Sequence, residues 1–226
     1  MNRTVAVLAV AGALVTGCAL DRSVIDVSNG SIPPNPAGPA AVAVKIVEVK
    51  DQRPFHIDPP RPDMPSLMND EEIKNKAITG RAIGRKRNTY GAALGDVLLP
   101  EGRNVTQLTT EALTSALRQA GYRVLASGEP GYADAVPLTA TVHQFWAYFS
   151  PGFWQITLRY DAKVTLVGDW PLAGDRREIT TTVQQQGMAA TEDAWASVVN
   201  TGLAQFVSDV KGALRTAAVR ISRLFD

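Results

Sequence analysis

The chain has 226 residues with 23 Lys and Arg against 22 Asp and Glu, a formal net charge of +1. So even a balance supplies no global field for a nucleic acid, and the length suits one large domain or a domain with a tether. One cysteine leaves no internal disulfide to form.

Chain order begins with Met1-Asn2-Arg3 and an apolar run over residues 5–15. A positive start followed by a core of that length reads as a secretory signal, since a membrane-spanning helix needs about 20 apolar residues. An ordinary signal peptide and a lone buried cysteine are the other readings of this stretch. The small residues Thr16 and Gly17 stand directly before the sole cysteine, Cys18. The tetrapeptide Val15-Thr16-Gly17-Cys18 resembles the bacterial lipobox. That resemblance implies removal of residues 1–17, acylation of the Cys18 thiol and a membrane partner reached through the lipid. Two or more acyl chains anchor stably where one binds only marginally. Ala19 rather than Asp after the cysteine implies, by resemblance to the sorting rule of enteric bacteria, the periplasmic face of the outer membrane.

Residues 18–40 read as the acylated cysteine and a Pro-rich tether, because Pro33, Pro34, Pro36 and Pro39 exclude helix and ladder. A single domain is expected over residues 41–226. Val42, Val44 and Ile46 on one face, with Val47 and Val49 on the other, read as a strand ended by Asp51-Gln52-Arg53-Pro54. Residues 54–102 read as an irregular loop, with a short strand around Ala82 and Ile83 before an Asn88–Gly91 turn.

A helix capped at Asn104 or Thr106 carries Val105, Leu108, Ala112, Leu113, Ala116 and Leu117 at helical spacing and stops at Gly121. Tyr122-Arg123-Val124-Leu125 starts a short strand, and residues 135–149 a long one that reverses at Ser150-Pro151-Gly152. Trp154, Ile156, Leu158, Tyr160, Ala162, Val164 and Leu166 alternate with polar residues, which predicts a half-buried strand. Residues 177–186 pair with it. A closing helix starts at Thr191 and aligns Trp195, Val198, Val199, Leu203, Phe206, Val207, Val210 and Leu214 as its apolar stripe. The expected fold is α+β: a mostly antiparallel sheet of about four to five strands with two main helices on one face, in the order β-(loop)-α-β-β-β-β-α.

Two groups of side chains stand out as candidate binding sites. Arg81, Arg85, Lys86 and Arg87 are the densest positive charge. They read either as a solvated loop balanced by Asp70, Glu71 and Glu72, or as an anion- or partner-binding site. Trp146, Tyr148 and Phe153 crowd the first hairpin, as core or as a partner surface. His56 and His143 are the only histidines, and no nucleophile, phosphate-cradling or zinc-protease motif appears. A non-enzymatic protein with no cofactor and no metal is therefore expected, one that binds an envelope protein in an assembly or structural role. An accessory lipoprotein of an envelope lipid-transport or export machine is the alternative.

The first strand with Asp51-Gln52-Arg53, the segment Ile83-Gly84-Arg85-Lys86-Arg87-Asn88-Thr89-Tyr90-Gly91 and the helix ending Ala120-Gly121-Tyr122-Arg123-Val124 together resemble the YajG family of bacterial lipoproteins over residues 41–187. The resemblance implies an outer-membrane lipoprotein and no catalytic residues.

Overall fold

A computed structural model describes residues 22–37, 41–88, 90–151, 155–169 and 176–222. The elements are β1 (Ser23–Val24), β2 (Ala43–Asp51), α1 (Asp70–Lys74), α2 (Lys76–Thr79), β3 (Ala82–Arg87), β4 (Ala93–Leu98), α3 (Val105–Gln119), β5 (Arg123–Val124), β6 (Val136–Pro151), β7 (Ile156–Gly168), β8 (Arg177–Gly187) and α4 (Glu192–Ser222).

The α+β class holds, and the sheet is larger and more mixed than the sequence suggested. Among the described residues it has eight strands, in the path β1-β4-β3-β6-β2-β5, with β7 on β6 and β8 on β7. The pairs β3–β4, β6–β7 and β7–β8 are antiparallel. The pairs β1–β4, β2–β5, β2–β6 and β3–β6 are parallel. The irregular loop expected over residues 54–102 contains α1, α2, β3 and β4. The short strand expected around Ala82 and Ile83 is the start of β3, which runs on through three consecutive cations, a composition that pattern reading assigns to solvent.

Strand β6 organises the sheet. At 16 residues it is too long for one neighbour, so β2 covers Val136 to Val142 and β3 meets it again at Ala147. Between these stretches the ladder lacks a strand, and Arg53 fills the seam. Its Nε and Nη2 donate to the two Asp51 carboxylate oxygens at 2.9 and 2.7 Å. Nη1 donates to the carbonyls of Ala82 and Phe145, and Nη2 also to that of Thr79. Five donors thus meet five bonds, as a buried guanidinium requires. The Asp51–Arg53 pair is accounted for as architecture, with no guanidinium donor left over for a ligand.

Helix α3 begins with a capping box in which Asn104 and Gln107 satisfy each other's backbone donors. It packs on β2 and against α4, and α4 lies over β7 and β8. Both long helices share one core with the sheet, including Val44, Ile83, Ala147, Tyr160, Leu113 and Val199. The apolar stripe expected on the closing helix is buried along its whole length from Trp195 to Leu214. Opposite, a smaller core of Leu67, Ala82, Leu98, Trp146 and Tyr148 lies under the proline-rich segment and α2, with Phe55, Ile73 and Ile78 packed against it.

The segment expected to be a spacer is, for residues 22–37, part of the domain. Ser23 and Val24 pair with Val97 and Leu98, and Ile25 and Val27 enter the main core at 3% and 2% exposure. Asn29 donates to the Leu108 carbonyl and to Glu111, and Arg118 donates to the Pro33 carbonyl. Asn35 both accepts from the Val124 amide and donates to its carbonyl, as a strand residue would.

Candidate functional site

The basic run lies in β3, inside the sheet, where all six residues are buried. A β3 bulge between Ala82 and Gly84 sets which face each charge takes. Gly84 lies under α4, and a Cβ there would sit 2.7 Å from the Ala147 carbonyl oxygen and 3.2 Å from the Trp195 ring. Arg85 then turns toward Met68 and forms an ion pair with the buried carboxylate of Asp96 at 3.3 Å. Asp96 also accepts from Arg22 at 2.8 Å, and Arg22 reaches Glu72 at 2.7 Å. Burial pulls the Arg22 pKa down, but the bonds to Asp96 and Glu72 outweigh it and leave it raised.

Lys86 turns the other way. Its Nζ donates to the Ser23 hydroxyl at 2.6 Å, and that hydroxyl donates to Glu192 at the start of α4 at 2.6 Å. Arg87 returns to the first face and donates to the Gly91 carbonyl and the Ser66 hydroxyl. Asp58, almost fully exposed, stands 3.8 Å away. Arg87 Nε has no partner among the described residues. Burial, with the neighbouring Arg85 charge, lowers the Arg87 pKa from its usual value.

The solvated-loop reading does not match the placement of the last three of these four residues. Arg85, Lys86 and Arg87 are 3%, 7% and 7% exposed, so they are not a solvated loop. Arg81 is separated from them, its Nε donating to the Leu99 carbonyl near the start of α3. Trp146 and Tyr148 are likewise no open partner surface. Trp146 is fully buried, its indole donating to the Pro62 carbonyl and meeting Phe55 edge-on at 6.0 Å. The Tyr148 hydroxyl donates to Asp161 at 2.9 Å, and burial with that carboxylate pushes its pKa up to about 12. Cys18 and Phe153 lie outside the described residues.

What the fold does assemble is a groove of about 730 Å³ between the end of the β6–β7 hairpin and the start of α4. Leu94, Phe149, Ile156, Ala189, Ala190 and Trp195 give it an apolar lining, while Lys86, Arg87, Thr191, Glu192 and Asp193 bring polar groups of both signs to its wall. A second hollow of about 490 Å³ runs from Asp58-Pro59-Pro60-Arg61-Pro62 to the turn at Asn88–Ala92 and shares Arg87 and Phe149 with the first. Both open at one end of the sheet. An apolar trough with a few charged groups at its edge suits an amphipathic occupant. Of its residues, sequence reasoning singled out the cations and the crowded aromatic strand; Leu94, Ala189 and Ala190 carry no signal of their own, because three distant segments meet there.

The histidines do not converge. His56 pairs with Ser66 in an isolated bridge, and His143 shares a hydrogen bond with Thr165 at a bulge of β6.

No protein-family model matches this chain. No curated protein does either. Among solved structures it is similar to an uncharacterized protein at 12% identity, with 86% of this chain and 97% of that one covered and a TM-score of 0.43. It is also similar to a Xanthomonas campestris protein described under DUF330, at 13% identity over 90% and 98% of the two chains, with a TM-score of 0.42. Likeness at this level assigns no family.

Proposed function

We propose that this chain is a lipid-anchored envelope protein, held through Cys18 at the periplasmic face of the outer membrane in a Gram-negative bacterium. Its domain serves partner binding or assembly rather than catalysis, in keeping with its resemblance to the YajG lipoproteins. The observation that carries the reading is a juxtaposition. Cys18 stands in a lipobox-like tetrapeptide, and Arg22 and Ser23, directly behind it, are bonded into the fold beside an amphipathic groove. A lipid at position 18 would tie the domain to a bilayer by the edge that bears this apolar recess.

The alternative, an accessory lipoprotein subunit of a lipid-transport or export machine, draws support from the same groove, whose lining would admit an acyl chain. Fractionation tests the main proposal. Wild-type protein should travel with outer membranes and the Cys18→Ser variant should not, with its circular dichroism spectrum unchanged. Wild-type protein found free in the periplasm would contradict it. Crosslinking in intact envelopes separates the two readings, since a transport complex as stable partner belongs only to the second.

A further inference from the structure

We infer that the end of the domain bearing the groove rests directly on the bilayer, so that the partner of this surface is membrane lipid; the inference depends on the lipid anchor proposed above. It starts from chain length. Because residues 22–37 pack on the domain, little chain remains between an acylated Cys18 and the fold. Four peptide steps from Cys18 to Arg22 span at most about 14 Å even when fully extended. Arg22 is fixed at its own end by Asp96 and Glu72, and Ser23 by Lys86 and Glu192.

Chain direction then selects the face. β1 runs parallel to β4 with Ser23 beside Val97, and Arg22 is bonded to Asp96. From Val24 back to Arg22 the chain therefore points toward the start of β4 at Ala93 and the Asn88–Ala92 turn. From Asp96 to Ala93 is about 10 Å along a strand, within the reach left to Cys18.

The same end carries the apolar exposure that a bilayer would cover. Tyr90 at 95% and Met188 at 87% exposure are the two most exposed large apolar side chains among the described residues. Tyr90 lies on the wall of the second hollow, and Met188 immediately precedes Ala189 of the groove. Gly187 pairs with Ile156 beside the β6–β7 hairpin end, so Met188 and the hairpin share one level. A tyrosine with an apolar ring and a polar tip suits the headgroup layer. The groove, open on this side, meets hydrocarbon and phosphate together.

The opposite end provides the control. Val167, 43% exposed, pairs with Thr139 at the far end of β6. Twelve residues of strand, about 40 Å, separate Thr139 from Pro151.

Acylation would block the only native thiol, so a single introduced cysteine can be labelled in the full acylated protein. Met188→Cys, Tyr90→Cys and Val167→Cys variants, each carrying an environment-sensitive dye, are inserted into phosphatidylethanolamine–phosphatidylglycerol vesicles containing a nitroxide-bearing lipid. Dyes at 188 and 90 should be quenched several-fold more than the dye at 167. Equal quenching at all three, or the strongest at 167, overturns the inference while leaving the anchor standing, provided the protein floats with the vesicles. Protein that carries no acyl group and stays out of the vesicles removes the anchor, and the inference falls with it.

Discussion

Arg53 and Tyr160 show the two fates of a buried polar group in this domain. Each guanidinium donor of Arg53 has a partner, so removing the side chain strands three carbonyls and the Asp51 carboxylate at the β2–β3 seam. Arg53→Ala should cost about 3–5 kcal/mol, read as a lowered urea midpoint. The Tyr160 hydroxyl is fully buried with no partner among the described residues. Tyr160→Phe should therefore leave stability unchanged or raise it by about 1 kcal/mol, because an unpaired hydroxyl is lost and the ring stays against Phe145. The same residue shapes the alkaline response. Burial holds the Tyr160 hydroxyl well above its usual pKa, and burial with Asp161 puts Tyr148 near 12. A pKa raised in the folded state means stability fully present below pH 10 and lost as pH climbs from 10 through about 12. Denaturation midpoints across that range should fall less steeply in Tyr160→Phe; an unchanged slope would contradict the assignment.

Helix α4 rests on β7 through a residue with no side chain. A Cβ at Gly202 would overlap the Tyr160 ring. Helix propensity alone makes Gly202→Ala stabilising by up to about 1 kcal/mol, whereas overpacking a core costs about 1–3 kcal/mol. Overlap with a fully buried ring decides for the second, and thermal unfolding should show a lower midpoint. The segment before β2 provides a second element-scale test. Arg103, and to a lesser degree Asn29, lower the Glu111 pKa from its ordinary 4.5, and Asn29 belongs to the docked segment. The stabilisation from this depressed pKa is present above 4.5 and lost as pH falls through the folded value. Glu111→Gln should speed hydrogen exchange of residues 25–36 at neutral pH, and the difference from wild type should shrink as pH falls below 4.5.

These elements also show what local pattern reveals. The stripe of α4 and the alternation of β7 were legible because their burial faces one uniform core, so polarity follows periodicity. The basic residues of β3 were not, since Arg85 and Lys86 are buried against Asp96 and Ser23, partners from distant segments. The docked segment was masked by its prolines, although Ser23, Ile25 and Val27 alternate with exposed Val24 and Asp26 as strand residues do.

At the scale of the whole molecule, a spacer-held domain and a surface-held domain make opposite demands on the chain behind Cys18. Proline-rich composition suggested the first; from the packing of residues 22–37 we propose the second, with the groove and its exposed rim at the end toward which Arg22 points. Everything in that account depends on the lipid. Intact mass spectrometry of the protein purified from membranes tests it most directly. The account predicts a mature chain beginning at Cys18 with added mass from two or more acyl chains. An unmodified Cys18, or a mature chain that begins elsewhere, would contradict it.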